Sequence, residues 1–327
     1  MTEIWLPLIG GLVLLVLGGD LLVRGAVRVA EKLGVSPLVI GLTLVGFGTS
    51  MPELVTSVQA SLSGSPSIAY GNIVGSNIAN ILLIVGVSSM LLPIAVASSA
   101  LKRDAVVMLA VAAGFSALCF VMPMTRLLGA GFLVLLAGYI YLAFRQEAGA
   151  GASEHGALHD KATALAGVDV SLDPARVRAR TLVGPLLISV GGLVLVIFGG
   201  ALLVRGAVSL AQSLDIPETV IGLTIVAVGT SMPELVTSVV AAMKKQGDVA
   251  FGNIVGSNIY NVLGIGGATA LIAPSEVPDA IVRFDNLLMV GVSVLLVIFA
   301  ATGLRIARWE GAVLLAGYCA YVYAIWP

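Results

Sequence analysis

Long apolar runs, separated by short polar stretches, make up most of the chain. Each run is about 18 or more residues long, which is the length that an α-helix needs to cross the hydrocarbon core of a membrane. This pattern predicts an all-α, multi-pass membrane protein with ten transmembrane helices. The ten runs lie near residues 4–23, 37–62, 69–95, 104–123, 127–145, 182–204, 217–242, 249–273, 286–303 and 309–326.

Composition excludes a soluble domain and a nucleic-acid partner. The 327 residues are 58% hydrophobic and only 11% charged, with a mean hydropathy of +1.07, which is too apolar for a wetted surface. A net charge of −1 leaves no basic face for nucleic acid. Cys119 and Cys319 lie in apolar runs without metal-ligand spacing, so they are expected to act as small apolar side chains. His155 and His159 lie in a polar stretch with no further ligand type and are expected to be solvated.

The two halves of the chain repeat each other at a constant offset of 181 residues. Residues 40–59 and 221–240 are identical at 16 of 20 positions, and the similarity extends over 18–80 and 199–261 without a gap. Each half holds five spans, and because five is odd, the second copy enters the membrane from the opposite side. We therefore predict two five-helix inverted-topology repeats, at 1–145 (core motif 40–95) and at 182–327 (core motif 221–275), joined by a cytoplasmic linker at 146–181.

The basic residues orient this arrangement, because cytoplasmic segments collect Lys and Arg. With the N-terminus outside, only Arg126, Arg205 and Arg283 of the 17 basic residues fall on the outer side. Both termini are therefore predicted to be extracellular or periplasmic, in the plasma (cell inner) membrane. The acidic N-terminal segment is interpreted as the first span rather than a cleaved signal peptide. Asp20 lies in that span, and Arg24 one turn later favours a local ion pair.

One carboxylate lies inside each repeated motif, next to a proline: Glu53 follows Pro52, and Glu234 follows Pro233. A charged carboxylate at the centre of a membrane helix costs about 2.5–3.5 kcal/mol, so two such residues indicate a functional site. The alternative is a pair of neutral, hydrogen-bonded glutamates that only lock helices together. We favour function because each glutamate lies in a polar, proline-broken segment.

A polar stripe surrounds each glutamate, because positions three or four apart share one face of a helix. Each proline lacks an N–H and is expected to free carbonyl oxygens near 46–49 and 227–230. Irregular backbone inside a membrane is tolerated where it lines a cavity, and broken helices point carbonyls at cations. The stripes consist of Gly46, Thr49, Ser50, Glu53 and Ser57 in the first half, and of Ala227, Thr230, Ser231, Glu234 and Ser238 in the second.

The next span in each half adds a serine and an asparagine four residues apart, namely Ser76 with Asn80, and Ser257 with Asn261. The combined set of carboxylates, hydroxyls, amides and carbonyls contains no His or Cys, and it suits Ca²⁺ or Na⁺ rather than zinc or copper. Two carboxylates balance one Ca²⁺, or two or more Na⁺ if protein dipoles help. The other repeated asparagines fit ion binding and helix packing equally well. They are Asn72, Asn77, Asn253 and Asn258.

The sequence GTSMPELVTS occurs at 48–57 and at 229–238, and GNIVGSN follows it in each half. These motifs resemble the two α-repeats of the Ca²⁺/cation antiporter superfamily, and most closely those of its sodium/calcium exchanger branch, which includes bacterial and archaeal members. The resemblance implies a ten-helix inverted-repeat fold in which four repeat helices form the core and the first and sixth spans slide across it. It also implies Na⁺ and Ca²⁺ as transported substrates, no cofactor, and a site lined by Glu53, Thr49, Ser50, Ser76, Asn80, Glu234, Thr230, Ser231, Ser257 and Asn261, with carbonyls of Gly46 and Ala227.

Two features depart from the family pattern. Many exchangers carry an Asp where this chain has Asn261, so the expected site has two acids rather than three. The linker also lacks the large calcium-sensing domains of animal exchangers, so regulation through such a domain is not expected.

We expect a secondary antiporter that moves Ca²⁺ outward against inward Na⁺ by alternating access at a mid-membrane site. One alternative is the same fold coupled to protons, since a desolvated carboxylate can carry a proton. The GTSMPE form looks more like the Na⁺-coupled branch. A second alternative is a cation-selective channel, for which carboxylates and carbonyls also serve, although the inverted duplication argues against it. An enzyme is not expected, because no nucleophile, base and orienting group occur together.

Overall fold

The computed structural model describes residues 2–34, 37–62, 64, 66–98, 100–149, 182–213 and 227–325. Nearly all of these residues are helical. The predictions for His155 and His159 lie outside the described residues. In the first half the helices are α1 (Thr2–Leu33), α2 (37–49), α3 (Met51–Leu62), α4 (Pro66–Leu91), α5 (Ala100–Val121) and α6 (Arg126–Gly149). In the second half they are α7 (Val183–Ser213), α8 (Ala227–Thr230), α9 (Met232–Met243), α10 (Gly247–Ile272), α11 (Ile281–Ala301) and α12 (Arg308–Ile325).

The described helices overlap all ten predicted spans, and residues 217–226 of the seventh span lie outside the described residues. Among the described residues, 7 helices are long and apolar enough to cross a membrane, namely α1, α4, α5, α6, α7, α10 and α11. Each repeated motif is divided into two shorter helices, α2 with α3 and α8 with α9, and α12 has 18 residues. When each divided motif counts as one span, every half contributes five spans.

The first helix is longer than predicted. The apolar run ends near residue 23, whereas α1 continues to Leu33. Ala26, Val29 and Ala30 in this extension are buried against the rest of the protein. The end of the helix is therefore set by packing on its apolar face, and the charged residues that end the apolar run lie on its other face.

Helices α4 and α10 form the centre of the protein, and α1 and α7 pack against each other at its side. Almost all of α10 and most of α4 are buried. A Cβ atom on Gly18 of α1 would lie 2.8 Å from the carbonyl oxygen of Gly192 in α7, and one on Gly199 would lie 2.9 Å from the carbonyl oxygen of Gly11. Gly11 and Gly18 are the repeat equivalents of Gly192 and Gly199, so the two contacts are related by the same inverted symmetry.

Two pairs of loops connect the halves. Strand β1 (Ile94–Ala95), after α4, pairs antiparallel with strand β2 (Arg305–Ile306), after α11. Met124, after α5, forms a β-bridge with Ser275, after α10. Two loops can pair only if they lie on the same side of the membrane. The predicted topology meets this condition, because it places the loops with β1 and β2 on the cytoplasmic side and those with Met124 and Ser275 on the outer side.

Asp20 forms the predicted ion pair with Arg24, with 2.9 Å between Arg24 Nε and Asp20 Oδ2. It also forms an ion pair with Lys244, which follows the last turn of α9. Lys244 Nζ donates in addition to the backbone carbonyl of Asp20 at 3.3 Å. Asp20 therefore connects α1 to the end of α9, a contact that sequence proximity did not indicate.

Candidate cation-binding site

Each repeated motif breaks its helix at a serine. Ser50, between α2 and α3, has φ −82° and ψ 8°, and Ser231, between α8 and α9, has φ −87° and ψ 7°. Pro52 and Pro233 follow in the first turn of α3 and α9, where the missing N–H of proline is tolerated. The chain therefore ends one helix and begins another inside the protein at both places.

The two glutamates lie in the first turns of the new helices, Glu53 in α3 and Glu234 in α9. Each is 1% exposed. The N-terminal end of a helix carries a partial positive charge that favours a nearby carboxylate. Two helix N-termini therefore partly compensate the cost of placing two carboxylates in the interior.

Each glutamate is completed by a serine from the opposite half. The Ser50 hydroxyl donates to Glu234 Oε1 at 2.9 Å, and the Ser231 hydroxyl donates to Glu53 Oε1 at 3.0 Å. Ser231 Oγ also lies 3.4 Å from Ser76 Oγ of α4. The two carboxylates and their serines thus form a reciprocal pair across the inverted repeat.

The second oxygen of each carboxylate has no hydrogen-bond donor. Glu53 Oε2 and Glu234 Oε2 are buried and unpartnered among the described residues, and so are the amide oxygens of Asn80 and Asn261. A buried oxygen without a donor is costly, and native proteins rarely leave one. Carboxylate and amide oxygens are hard ligands that bind Na⁺ or Ca²⁺. A cation bound among them would satisfy these atoms, so the donor set fits the predicted cargo.

The acid content of this site is low. In the part of the chain that the structure describes, no cluster of three or more His, Cys, Asp or Glu side chains occurs. The glutamates are therefore accompanied by neutral oxygens. Thr49, Ser50, Ser76, Asn80, Ser231, Ser257 and Asn261 are all at most 4% exposed, whereas Thr230 is partly buried.

The helix that follows each motif is distorted next to the glutamates. Both α4 and α10 change to π-helical geometry, over Asn80–Val85 and over Tyr260–Gly266. The first π segment begins at Asn80, and the second begins one residue before Asn261. π-Bulges occur frequently at functional sites, so both predicted amide ligands lie where the helix departs from regular geometry.

The Gly46 carbonyl, which lies in the predicted range 46–49, is not released. The Gly46 carbonyl still accepts the backbone N–H of Ser50 at 3.2 Å, and Ser257 Oγ lies 3.5 Å from it. The release of this oxygen by Pro52 is therefore not observed, because proline removes the donor to the carbonyl four residues earlier, which is that of Gly48. Ala227 is the first residue of α8.

The asparagines that the sequence left undecided contact several of the predicted site residues. Asn72 bonds the α3 backbone at Glu53, and Asn253 bonds the α9 backbone at Glu234. Asn80 Nδ2 donates to Asn258 Oδ1 at 3.0 Å. Asn72, Asn253 and Asn258 lie in the repeated GNIVGSN motif, where the sequence left ion binding and helix packing equally open, whereas Asn80 was predicted as a ligand. Among the described contacts, Asn261 bonds no other predicted ligand.

Comparison with known proteins matches the whole chain. The model of the family described as "Sodium/calcium exchanger protein" matches residues 3–145 and 184–326. The sodium/calcium exchanger MaX1 of Methanosarcina acetivorans is 37% identical, over 99% of both chains. The putative antiporter CaxA of Alkalimonas amylolytica is 36% identical, over 96% of both. The inner membrane protein YrbG of Escherichia coli is 34% identical, over 88% of this chain and 86% of that protein.

Solved structures of the sodium-calcium exchanger NCX_Mj share the fold. One, soaked with 10 mM Na⁺ and 10 mM Sr²⁺, superimposes with a TM-score of 0.82 at 30% identity over 100% of both chains. Another, soaked with 2.5 mM Na⁺ and 0.1 mM Ca²⁺, has a TM-score of 0.81 at 31% identity over 98% of both chains. The superposition extends over the full length, so the arrangement of all spans agrees and not only that of the repeated motifs.

Proposed function

This chain belongs to the sodium/calcium exchanger family, and we propose that, as a cation antiporter of that family, it exchanges Na⁺ for Ca²⁺ by alternating access. It is a multi-pass membrane transporter with the ten-span inverted-repeat fold, and not an enzyme. The proposal concerns the identity of the two ions, the residues that bind them and the direction of transport. Ca²⁺ moves outward as Na⁺ moves inward.

The observation that carries the proposal is the reciprocal pair of serines and glutamates. Each carboxylate has one oxygen held by a serine of the other half and one buried oxygen without a donor. The two carboxylates together supply the two negative charges that balance one Ca²⁺ or two Na⁺. The proposed ligands are Glu53, Thr49, Ser50, Ser76, Asn80, Glu234, Thr230, Ser231, Ser257 and Asn261, together with the carbonyls of Gly46 and Ala227.

Obligatory exchange follows from the charge of this site. Without a cation, two carboxylates would have to pass apolar barriers when the protein changes its orientation, and this is costly. With Ca²⁺ or with Na⁺ bound, the charge is neutralised and reorientation becomes possible. Because both ions use the same carboxylates, they occupy the site in turn and their fluxes are coupled.

The names of the relatives support this choice of ions. MaX1 is named a sodium/calcium exchanger, and the NCX_Mj crystals were soaked with Na⁺ and with Ca²⁺ or Sr²⁺. We place the protein in the cell membrane, as YrbG is named an inner membrane protein. We also propose that 1–145 and 182–327 are the two structural units and that 146–181 links them on the cytoplasmic side.

A second candidate function is exchange of Ca²⁺ for protons at the same site. The unpartnered Oε2 atoms of Glu53 and Glu234 favour it, because either oxygen could hold a proton in place of a metal ion. The two functions differ in the driving ion alone, so they are separated by the same measurement.

The test is ⁴⁵Ca²⁺ uptake into proteoliposomes that contain the purified protein. Vesicles are loaded with Na⁺, or with K⁺ or choline as controls, and a proton gradient is imposed in a separate series. Uptake that requires internal Na⁺ supports Na⁺/Ca²⁺ exchange. Uptake driven by the proton gradient alone replaces it with the second candidate, and uptake that needs no counter-ion replaces it with a channel.

A further inference from the structure

Asn72 in α4 and Asn253 in α10 are repeat equivalents and form the same three hydrogen bonds. Asn72 Nδ2 donates to the Glu53 carbonyl at 3.2 Å and to Ser57 Oγ at 2.9 Å. Asn253 Nδ2 donates to the Glu234 carbonyl at 3.3 Å and to Ser238 Oγ at 2.9 Å. Each amide therefore bonds the backbone carbonyl of the glutamate of its own half and the serine side chain one turn later.

The amide oxygens bond to the opposite half. The Thr49 hydroxyl lies 3.2 Å from Asn253 Oδ1 and 3.0 Å from the Val45 carbonyl of its own helix, and the Thr230 hydroxyl lies 3.4 Å from Asn72 Oδ1. Both threonines belong to the proposed ligands. One asparagine thus connects the glutamate of its own half with a threonine of the other half.

These contacts bind each amide to protein groups of both halves. Nδ2 is a donor and both of its hydrogens have acceptors, while a threonine hydroxyl lies within hydrogen-bond distance of Oδ1 and would occupy one of its two lone pairs. This distinguishes Asn72 and Asn253 from Asn80 and Asn261, whose amide oxygens are buried and have no donor among the described residues. The same residue type therefore occurs in two different environments in the site.

We propose that Asn72 and Asn253 are positioning residues of the exchanger site, each holding the glutamate of one half in register with the threonine of the other without binding an ion. This inference rests on the proposed function of the site. Removal of one amide should therefore displace both a glutamate of one half and a threonine of the other. An aspartate cannot replace either residue, because a carboxylate cannot donate to the two oxygens that Nδ2 bonds.

The first experiment compares Asn72→Ala and Asn253→Ala with the unmodified protein in reconstituted vesicles. The half-saturating Ca²⁺ concentration, the maximal rate and the unfolding temperature in detergent are measured for each. We expect the half-saturating concentration to rise about tenfold or more in both variants, with maximal rates and unfolding temperatures much closer to those of the unmodified protein. An unchanged half-saturating concentration in either variant overturns the inference.

Asn286→Ala is the matched control. Asn286 is as buried as Asn253, with no measurable exposure, whereas Asn72 is partly buried; Asn286 lies on α11 and bonds none of the proposed ligands in the described structure. Its replacement is expected to leave the half-saturating Ca²⁺ concentration unchanged. An equal rise in this control would mean that loss of any buried asparagine weakens Ca²⁺ binding, and the inference would then fail.

Asn72→Asp separates a positioning residue from a ligand. It keeps the size of the side chain but replaces the two donors with a negatively charged acceptor. The inference predicts weaker Ca²⁺ binding, as in Asn72→Ala. Tighter Ca²⁺ binding would identify the side chain as an ion ligand and overturn the positioning role.

A double-mutant cycle tests the contact between the halves. Asn72→Ala and Thr230→Val are combined, and their effects on the half-saturating Ca²⁺ concentration are compared with those of the single variants. We expect the half-saturating Ca²⁺ concentration of the double variant to be no higher than that of the single variant with the larger effect. Additive effects of the two replacements would contradict the contact. If the unmodified protein transports no Ca²⁺, the proposed function fails, and the same cycle measured by ²²Na⁺ flux still decides the positioning role.

Discussion

Ser50 donates a hydrogen bond of 2.9 Å to Glu234, a residue of the opposite half of the protein. The equivalent bond from Ser231 to Glu53, at 3.0 Å, shows that the relationship is reciprocal. Neither half therefore holds a complete site, because each carboxylate depends on a hydroxyl that the other copy of the repeat supplies. This explains physically why both motifs keep their serine and glutamate at the same spacing.

Replacing either glutamate by glutamine should abolish Na⁺-driven Ca²⁺ uptake. Glu53→Gln or Glu234→Gln removes one of the two charges that balance Ca²⁺, and it converts one carboxylate oxygen into a donor that repels a cation. The measurement is ⁴⁵Ca²⁺ uptake into Na⁺-loaded vesicles. Glu310→Gln is the control, because Glu310 is also buried, at 2% exposure, but caps the start of α12 through the Ala307 N–H. Normal uptake by either site variant would remove that acid from the proposed site.

Removing either serine hydroxyl should weaken Ca²⁺ binding by a similar factor. A hydrogen bond to a charged group contributes about 1.5–3 kcal/mol, which corresponds to about ten- to hundredfold in affinity. Ser50→Ala and Ser231→Ala are compared by their half-saturating Ca²⁺ concentrations. Ser293→Ala serves as the control, since in the described part of the chain its hydroxyl bonds only the Met289 carbonyl of its own helix. A large effect of one serine and none of the other would contradict the reciprocal arrangement.

The predicted part of the fold depends on local patterns. The ten spans follow from apolar runs, and the inverted repeat follows from one constant offset of 181 residues. The predicted end of α1 was wrong, because the last turns of the helix are stabilised by the packing of Ala26 and Ala30, which hydropathy does not describe. Asp20 shows the same limit, since its local partner Arg24 was predicted and its distant partner Lys244 was not.

In the candidate site, too, groupings along one helix were predicted, whereas contacts between the two halves were not. Residues three or four apart on one helix could be grouped from the sequence, so the stripes around Glu53 and Glu234 were found. The sequence does not say how the two halves lie against each other, and the bonds between Ser50 and Glu234 depend on that placement. Asn72 was undecided for the same reason, because its role follows from which acceptors lie beside its amide. The Gly46 carbonyl was expected to be free, but the backbone N–H of Ser50 remains in place to bond it.

A third acid in the site should change its ion requirement. Asn261→Asp places a carboxylate where a buried amide oxygen has no donor, so the Ca²⁺-loaded site would keep one negative charge. Moving this charge past apolar barriers is costly, and we expect a lower maximal rate of Ca²⁺ uptake and a Na⁺ Hill coefficient higher by about one. The measurement is the Na⁺ dependence of exchange.

Asn80→Asp is the matched variant in the first half. Asn80 Nδ2 donates to Asn258 Oδ1 at 3.0 Å, and an aspartate would lose that bond and place its charge against the same oxygen. The unfolding temperature should therefore fall in Asn80→Asp and change little in Asn261→Asp. Equal unfolding temperatures would contradict the difference between the two amides, and an unchanged Na⁺ Hill coefficient in Asn261→Asp would contradict the charge argument.

Joining α1 to the end of α9 should stop exchange. The resemblance implied that the first span slides across the core, and in this structure the ion pair between Asp20 and Lys244 connects α1 to α9. Asp20→Cys and Lys244→Cys, in a background in which Cys119 and Cys319 are replaced by alanine, can be linked by a short, reducible bifunctional thiol reagent. We expect ⁴⁵Ca²⁺ uptake to stop after linking and to return after reduction, because α1 could no longer move past α9. The single-cysteine variants, treated with the same reagent, control for modification alone. Undiminished uptake by the linked protein would show that α1 and α9 keep their contact throughout the transport cycle, and that the Asp20–Lys244 pair belongs to the static part of the fold.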